Sequence, residues 1–426
     1  MSTPRSTPSG LLTLAHALLA MLAPVWRVQL RRRLARGKET ERSVAEKLVQ
    51  APAPRPPGPL VWGHAVGLGE AQSLAGLFAE MAEELPDHHF LITSSARSSG
   101  QALERALPPR CLHQFAPIDT PATVRRFLDH WQPALALWCE MDLWPVLVSH
   151  TRARGVPMAL VNARVKRSAL PGRLRMRAFY AALLAHYDRL YAQDELSAQA
   201  LKALGAPADR VRVATTVKAL ARPLPCSADE LSRLQASLRG RPVWLGASTH
   251  AGEEPLLLEA HTQVLRQQPD ALLVLAPRYP ARGPDIEALA PAPDIRRRAA
   301  GQAPDANTTV YVADTVGEMG LWYRLACVAF VGGSLAPVGG HNPFEPLALG
   351  CAVLHGPQVG NFEESYAALD AQGLALKVSD AQHIATAVEA AWAADRAQQL
   401  ARWQACPLQT QARAMVQDLV RMARSR

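Results

Sequence analysis

The chain has few of the residues that mark metal or disulfide chemistry. Its six cysteines, Cys111, Cys139, Cys226, Cys327, Cys351 and Cys406, are scattered and include no Cys-x-x-Cys, the pattern of ordinary buried thiols in a reducing compartment. No Cys/His cluster has metal-ligand spacing, which argues against a structural zinc site. Short-period repeats are absent, and outside one proline tract there is no low-complexity segment. Away from its N-terminus the chain also lacks net charge. Residues 1–60 hold ten Lys or Arg against three Glu, a surplus of seven out of the net +9, so the other 366 residues carry only +2. That balance argues against a nucleic-acid partner. At 426 residues, the chain exceeds the size at which one core stops growing, and two domains are expected.

The N-terminus differs in kind. Residues 11–26 form a mostly apolar run, shorter than the roughly 20 residues that span a bilayer. Arg31, Arg32, Arg33, Arg36 and Lys38 follow it, the reverse of the charge order in a signal peptide. A membrane anchor on anionic cytoplasmic-leaflet lipid is expected, with Trp26 near the interface and its lie, spanning or flat, left open. The other reading is an amphipathic helix packed on the body. The proline tract 51–59 admits neither helix nor central strand and reads as a linker.

Beyond it, short apolar runs alternate with helical periodicity. Strands are expected over 60–62, 90–93, 134–138, 157–161 and 189–191, then over 243–246, 271–276, 309–312, 328–331 and 352–355. Helices are expected over 71–84, 120–130, 253–267, 319–325, 344–349 and 381–393. This spacing predicts an α/β class of two parallel, doubly wound sheets with ligands at the carboxyl ends of their strands, across a shared cleft.

Several strand ends carry chemistry. The stretch 331–346 holds four glycines and three prolines between apolar runs, with Ser334, His341, Asn342 and Glu345 among them. The two glycine pairs, Gly332-Gly333 and Gly339-Gly340, suit a loop whose amides approach a nucleotide phosphate, with a helix starting near Asn342 and Glu345 bonding ribose. Ser248 and Thr249 end another strand with hydroxyls for a phosphate, and Arg278 ends the next with one guanidinium. Asp314 and Thr315 suit a helix cap as well as a ligand contact. In the first half, Glu70 opens a helix after Trp62-Gly-His-Ala-Val-Gly-Leu-Gly. It reads equally as a general base or as a partner of the helix dipole. Glu140 and Asp142 lie between Trp138 and Trp144, where indoles either face a sugar or fill a seam between elements. Arg164, Lys166 and Arg167 form either an anion site or a solvated turn.

Taken in order, Arg36-Gly37-Lys38-Glu39, His64-Ala65-Val66 with Gly69-Glu70, Leu143-Trp144-Pro145, Asn162-Ala163-Arg164, Ser248-Thr249-His250 with Gly252-Glu253-Glu254, Pro277-Arg278 and Gly332 to Pro346 resemble the bacterial 3-deoxy-D-manno-octulosonic acid (Kdo) transferases. The resemblance covers most of the chain, to about residue 375. It implies a GT-B glycosyltransferase with two Rossmann-like domains, an N-terminal anchor and no metal cofactor. CMP-Kdo would be the donor, and a lipid A precursor at the cytoplasmic face of the inner membrane the acceptor. By the same resemblance Glu70 is the base of an inverting transfer. Arg278, Gly332, Gly333, Ser334, Gly340, His341, Asn342, Glu345, Ser248 and Thr249 serve the donor, and Glu140, Asp142 and Arg164 the acceptor.

The implied divisions are 1–50 anchor and basic segment, 51–59 linker, 60–215 acceptor domain, 216–240 inter-domain segment, 241–405 donor domain and 406–426 C-terminal helix. Departures fall at Gly67, where the family has Ser, at Asp142 for Glu, at Tyr279 and Ala281 for His and Glu, and at Thr215-Thr216 for a Gly-Asn pair ahead of Lys218. These touch substrate loops, so details of substrate or the number of sugars added would differ from the commonest members. The alternatives are a GT-B enzyme using a UDP-sugar and a membrane-attached nucleotide-sugar binder without catalysis.

Overall fold

The computed structural model describes residues 10–97, 100, 103, 107–220, 222–289 and 295–425. The chain forms two compact units, one of Met1–Leu220 with Gln411–Arg426, the other of Ala221–Thr410.

In the first unit the described strands are β1 (Leu60–His64), β2 (His89–Ser94), β3 (Cys111–Phe115), β4 (Leu135–Cys139), β5 (Met158–Ala163), β6 (Arg189–Ala192) and β7 (Val211–Val213). They form one sheet in the order β3-β2-β1-β4-β5-β6-β7. Every pairing is parallel. All five residues of both β1 and β4 are buried, as expected for strands covered on both faces. Helix Leu68–Glu84 covers β1 through Leu74 and Phe78. A Cβ at Gly63 would lie 2.8 Å from the Phe78 ring, so only glycine permits this approach.

The second unit contains β8 (Val243–Thr249), β9 (Leu272–Pro277), β10 (Ile295–Arg297), β11 (Val310–Val312), β12 (Val328–Val331), β13 (Ala352–His355) and β14 (Ala375–Lys377). Their order is β10-β11-β9-β8-β12-β13-β14, again all parallel. Gly246 in β8 repeats the role of Gly63, its absent Cβ leaving room for Leu257 and Leu275. Strand order reverses between β1 and β4 in one unit and between β8 and β12 in the other. Open α/β sheets bind ligands at such switch points.

The N-terminal segment is built onto the first unit. Helices Gly10–Met21 and Ala23–Ala35 meet at a 50° bend, and no single described helix is long and apolar enough to cross a membrane. Leu12 is buried in the core, and the His16 ring meets the Pro145 carbonyl at 3.2 Å. The opposite face exposes Leu11, Leu14, Leu18, Met21, Leu22 and Val25, an apolar stripe at helical spacing. The reading as a helix packed on the body therefore describes one face of this segment, and the other face is exposed and apolar. Glu39 of the basic motif is buried and paired with Lys47 at 2.8 Å and Arg33 at 3.0 Å, which makes it an internal tie.

The proline tract, expected as a linker, is fastened to the sheet-bearing body. His130 meets the Ala53 carbonyl at 2.8 Å, and Arg55 donates to the Trp131 carbonyl at 2.8 Å. Helix Pro407–Arg424 runs into the first unit, where Asp418 pairs with Arg189 at 3.0 Å and accepts from the Tyr191 hydroxyl.

Candidate active site

At the switch point of the first unit, β1 ends at His64 and a short turn leads into helix Leu68–Glu84. Glu70, in the first turn of that helix, folds back so that Oε2 accepts from Val66 N at 2.7 Å and Gly67 N at 3.4 Å. This half of a capping box locks the side chain. Its Oε1 has no hydrogen-bond partner among the described residues, and the side chain is half-buried. Glu70 thus serves the helix start with one oxygen, as one of its two sequence readings expects, and leaves the other without a partner among the described residues.

The neighbouring strand β4 delivers Glu140. Its φ of 62° is left-handed, a conformation that costs a non-glycine residue about 1 kcal/mol or more and is concentrated at functional sites. Burial, then the charges of Glu70 and Asp142, raise its pKa above the usual carboxylate range, against Lys218 and Arg164. The structure therefore gathers Glu70, Glu140, Asp142 and Arg164 into one electrostatic neighbourhood, and adds Lys218. In the sequence Lys218 stands out only as the residue that Thr215-Thr216 precede. Its delivery depends on Asn162, whose Oδ1 accepts from Thr216 Oγ1 at 3.1 Å and Val217 N at 3.2 Å. Thr215, just before Thr216, sits at φ 57°, which a β-branched residue rarely adopts. Trp138 is fully buried against Trp62 and Tyr187, so it fills a seam and cannot face a sugar. Trp144 stays half-buried, edge-on to His64 at 4.6 Å.

In the second unit the loops after β8 and β12 close on each other. A Cβ on Gly332 would lie 2.4 Å from the Ser248 carbonyl, so the first glycine serves close backbone packing. Glu253, fully buried at the start of helix Glu253–Gln267, then accepts from five amides. Its Oε2 takes His250 N at 2.9 Å and Gly333 N at 2.8 Å; its Oε1 takes Ser334 N at 3.0 Å, Leu335 N at 2.9 Å and Ala336 N at 3.3 Å.

This corrects the expectation that the glycine-loop amides cradle a phosphate. Those of Gly333 and Ser334 belong to Glu253, and those of Gly332, Gly340 and His341 donate to the carbonyls of Ala247, Gly333 and Gly332. The Ser334 hydroxyl is also internal, donating to the Val331 carbonyl at 2.6 Å and accepting from Gly356 N at 2.9 Å. The expected helix over 344–349 is the single turn Phe344–Leu347, too short for an appreciable dipole. Asn342 lies just ahead of it, accepting from Phe344 N at 3.1 Å and donating to Glu345 at 3.2 Å. Asp314 and Thr315 are structural, bonding Arg297 and Glu318.

Several polar side chains still converge on this switch point. Ser248 (φ 55°), His250, His341, Asn342 and Glu345 are half-buried around the ends of β8 and β12. The buried Thr249 Oγ1 has no partner among the described residues. Arg278, one strand over, is exposed and anchored by its amide to the Thr249 carbonyl at 3.0 Å. Arg282 closes onto the buried Glu254 at 3.2 Å. His250 was quoted in the sequence only as part of a motif; what singles it out is its contact with His341, which no local pattern reveals.

Residues 30–221 match the family described as 3-Deoxy-D-manno-octulosonic-acid transferase (kdotransferase). A 3-deoxy-D-manno-octulosonic acid transferase of Bordetella pertussis is 35% identical over 385 residues, 88% of this chain and 89% of that protein. The chain belongs to the Kdo transferases. Another member, from Haemophilus influenzae, is 31% identical over 79% of both chains. Among solved structures, UDP-GlcNAc 2-epimerase from Neisseria meningitidis bound to UDP-GlcNAc aligns with a TM-score of 0.55, covering 85% of this chain and all of that one. At 15% identity this likeness shows the two-sheet fold alone. Membership of the Kdo transferases sets aside the UDP-sugar reading of the sequence.

Proposed function

We propose that the chain transfers Kdo from CMP-Kdo to a lipid A precursor in lipopolysaccharide biosynthesis, with inversion and with Glu70 as general base. The observation that carries this is the divided carboxylate of Glu70, one oxygen pinned by two amides and the other unbonded at the carboxyl end of β1. In this reading Oε1 removes the proton of the acceptor hydroxyl as its oxygen bonds the anomeric carbon, and the bond to the phosphate oxygen breaks with its electron pair leaving on CMP. Lys218 and Arg164, beside Glu140, suit a phosphorylated acceptor, and Asp142 orders its hydroxyls. In the second unit Arg278, Ser248, Thr249, His341, Asn342 and Glu345 hold the donor, with no metal assigned. The glycine loop contributes mainly its shape, since the amides of Gly332, Gly333, Ser334, Gly340 and His341 are bonded within the unit.

The exposed stripe from Leu11 to Val25, followed by the exposed Arg31, Arg32, Arg36 and Lys38, supports attachment to anionic lipid at the cytoplasmic face of the inner membrane, with the helix lying in the interface.

Incubating the full chain with CMP-Kdo and a tetraacyl lipid A precursor, and weighing the product, tests the reaction and counts the sugars added. No mass gain, or tighter binding of UDP than of CMP, would refute the assignment. Replacing Leu14, Leu18 and Val25 by Gln should lower sedimentation with anionic vesicles and leave transfer to detergent-dispersed acceptor intact; unchanged sedimentation would refute the membrane reading.

A further inference from the structure

Two histidines from different loops meet at the switch point of the second unit. His250 follows β8 and His341 follows the glycine loop, with their Nε2 atoms 2.8 Å apart and their rings stacked at 14°, centroids separated by 5.0 Å. At that distance one Nε2 carries hydrogen and the other presents a lone pair, because two N–H groups cannot point at each other. The pair therefore holds at most one positive charge while the contact lasts.

Its surroundings are defined on every side. Burial first, then the charges of His250 and Arg278, lower the pKa of His341, and the charge of Glu253 opposes them with the smallest effect. Tyr279 stands edge-on to His250 at 5.8 Å. The Tyr366 hydroxyl donates to the His341 carbonyl at 3.0 Å, which fixes that backbone. The Gly333 Cα hydrogen faces the His341 ring, since a Cβ there would lie 3.1 Å from Nε2.

An anion arriving here finds no loop amide free among those of Gly332, Gly333, Ser334, Gly340 and His341. Side chains must therefore take a share of it, and these two rings and Arg278 are among the donors at the ends of β8, β9 and β12. We propose that His250 and His341 receive the anionic group of the donor, parting so that each donates its Nε2–H to it, and that the pair takes up one proton from solvent as the anion binds. The physical reason is that the anion replaces the neighbouring ring as acceptor and its charge favours the doubly protonated pair. This assignment rests on the donor-site reading of the second unit.

Calorimetric titration of the full chain with CMP at pH 7.5, in two buffers of different ionisation enthalpy, measures the protons exchanged on binding. CMP itself can only lose protons on meeting cations, so a net uptake belongs to the protein. The expected result is uptake of up to about one proton, with affinity falling as pH rises from about 6 to 8.5. His250→Gln and His341→Gln should each bind about tenfold more weakly, without uptake and with a flat pH profile, at parental Tm. Binding by the parent without proton uptake, or uptake that survives both substitutions, overturns the proposal whether or not the variants are fully stable. Absence of CMP binding by the parent overturns the donor-site reading and this proposal with it.

Discussion

Each unit places a glutamate in the first turn of the helix that follows its central strand, and each glutamate reaches back onto loop amides. Glu70 accepts two amides on one oxygen and keeps the other open; Glu253 accepts five amides on both oxygens and is sealed from solvent. A carboxylate has about four lone-pair sites. Glu253 has none to spare and acts as scaffold, while Glu70 is held in place with capacity left for a substrate proton. The same residue type at the equivalent place keeps one oxygen open in the first unit, where we propose it as the base, and is a saturated brace in the second, and the count of amides around it makes the difference.

That comparison breaks most visibly at Glu70. Glu70→Gln should lower transfer by about 10²- to 10⁴-fold while Tm and CMP affinity stay parental; activity within a few-fold of the parent would remove Glu70 as base. Glu253→Gln should do the reverse. An amide NH₂ replaces one acceptor oxygen and faces loop N–H groups in a buried site, so thermal or urea unfolding should show a loss of about 3 kcal/mol. Unfolding identical to the parent would mean that the loop does not depend on this brace.

The glycines give a smaller contrast of the same kind. Gly332→Ala drives a methyl to 2.4 Å from a backbone carbonyl and should cost about 2 kcal/mol or more. Gly69→Ala meets nothing within 4 Å in a helix and should stabilise by about 0.5–1 kcal/mol, read from the shift in urea midpoint.

The mildest effect is on pH dependence. Burial holds His64 neutral with a pKa of about 3, and His261 in the second unit at about 4. The unfolded chain takes up protons that these sites refuse. Their contribution is therefore fully present above pH 6.5 and is lost as pH falls towards those values, at up to about 1.4 kcal/mol per pH unit for each group. Urea unfolding between pH 7 and pH 4.5 should show this slope, and His64→Leu should remove about one proton from it.

Most of the fold was legible because central parallel strands are covered on both faces and read as continuous apolar runs. The four strands that escaped, β3, β7, β10 and β14, are the edges of the two sheets. Ile-Arg-Arg, Val-Arg-Val and Ala-Leu-Lys show why: a short edge strand carries cations that suit its solvent side and has no apolar run to announce it. At the site, Glu70 and the glycine loop were legible from local pattern. Lys218 and the partnership of His250 with His341 were not, because they depend on chain segments 78 and 91 residues apart, Glu140 with Lys218 and His250 with His341.

By itself the sequence determined the two-sheet architecture, the family and the loops that bear chemistry, since those follow from periodicity, composition and motifs read along one stretch of chain. Only the tertiary structure decided what each loop atom is for. Whether an amide is free for a phosphate, a glutamate is brace or base, or an apolar helix is bound on one face and bare on the other depends on hydrogen-bond saturation and burial. Those are set by residues brought together from distant parts of the chain.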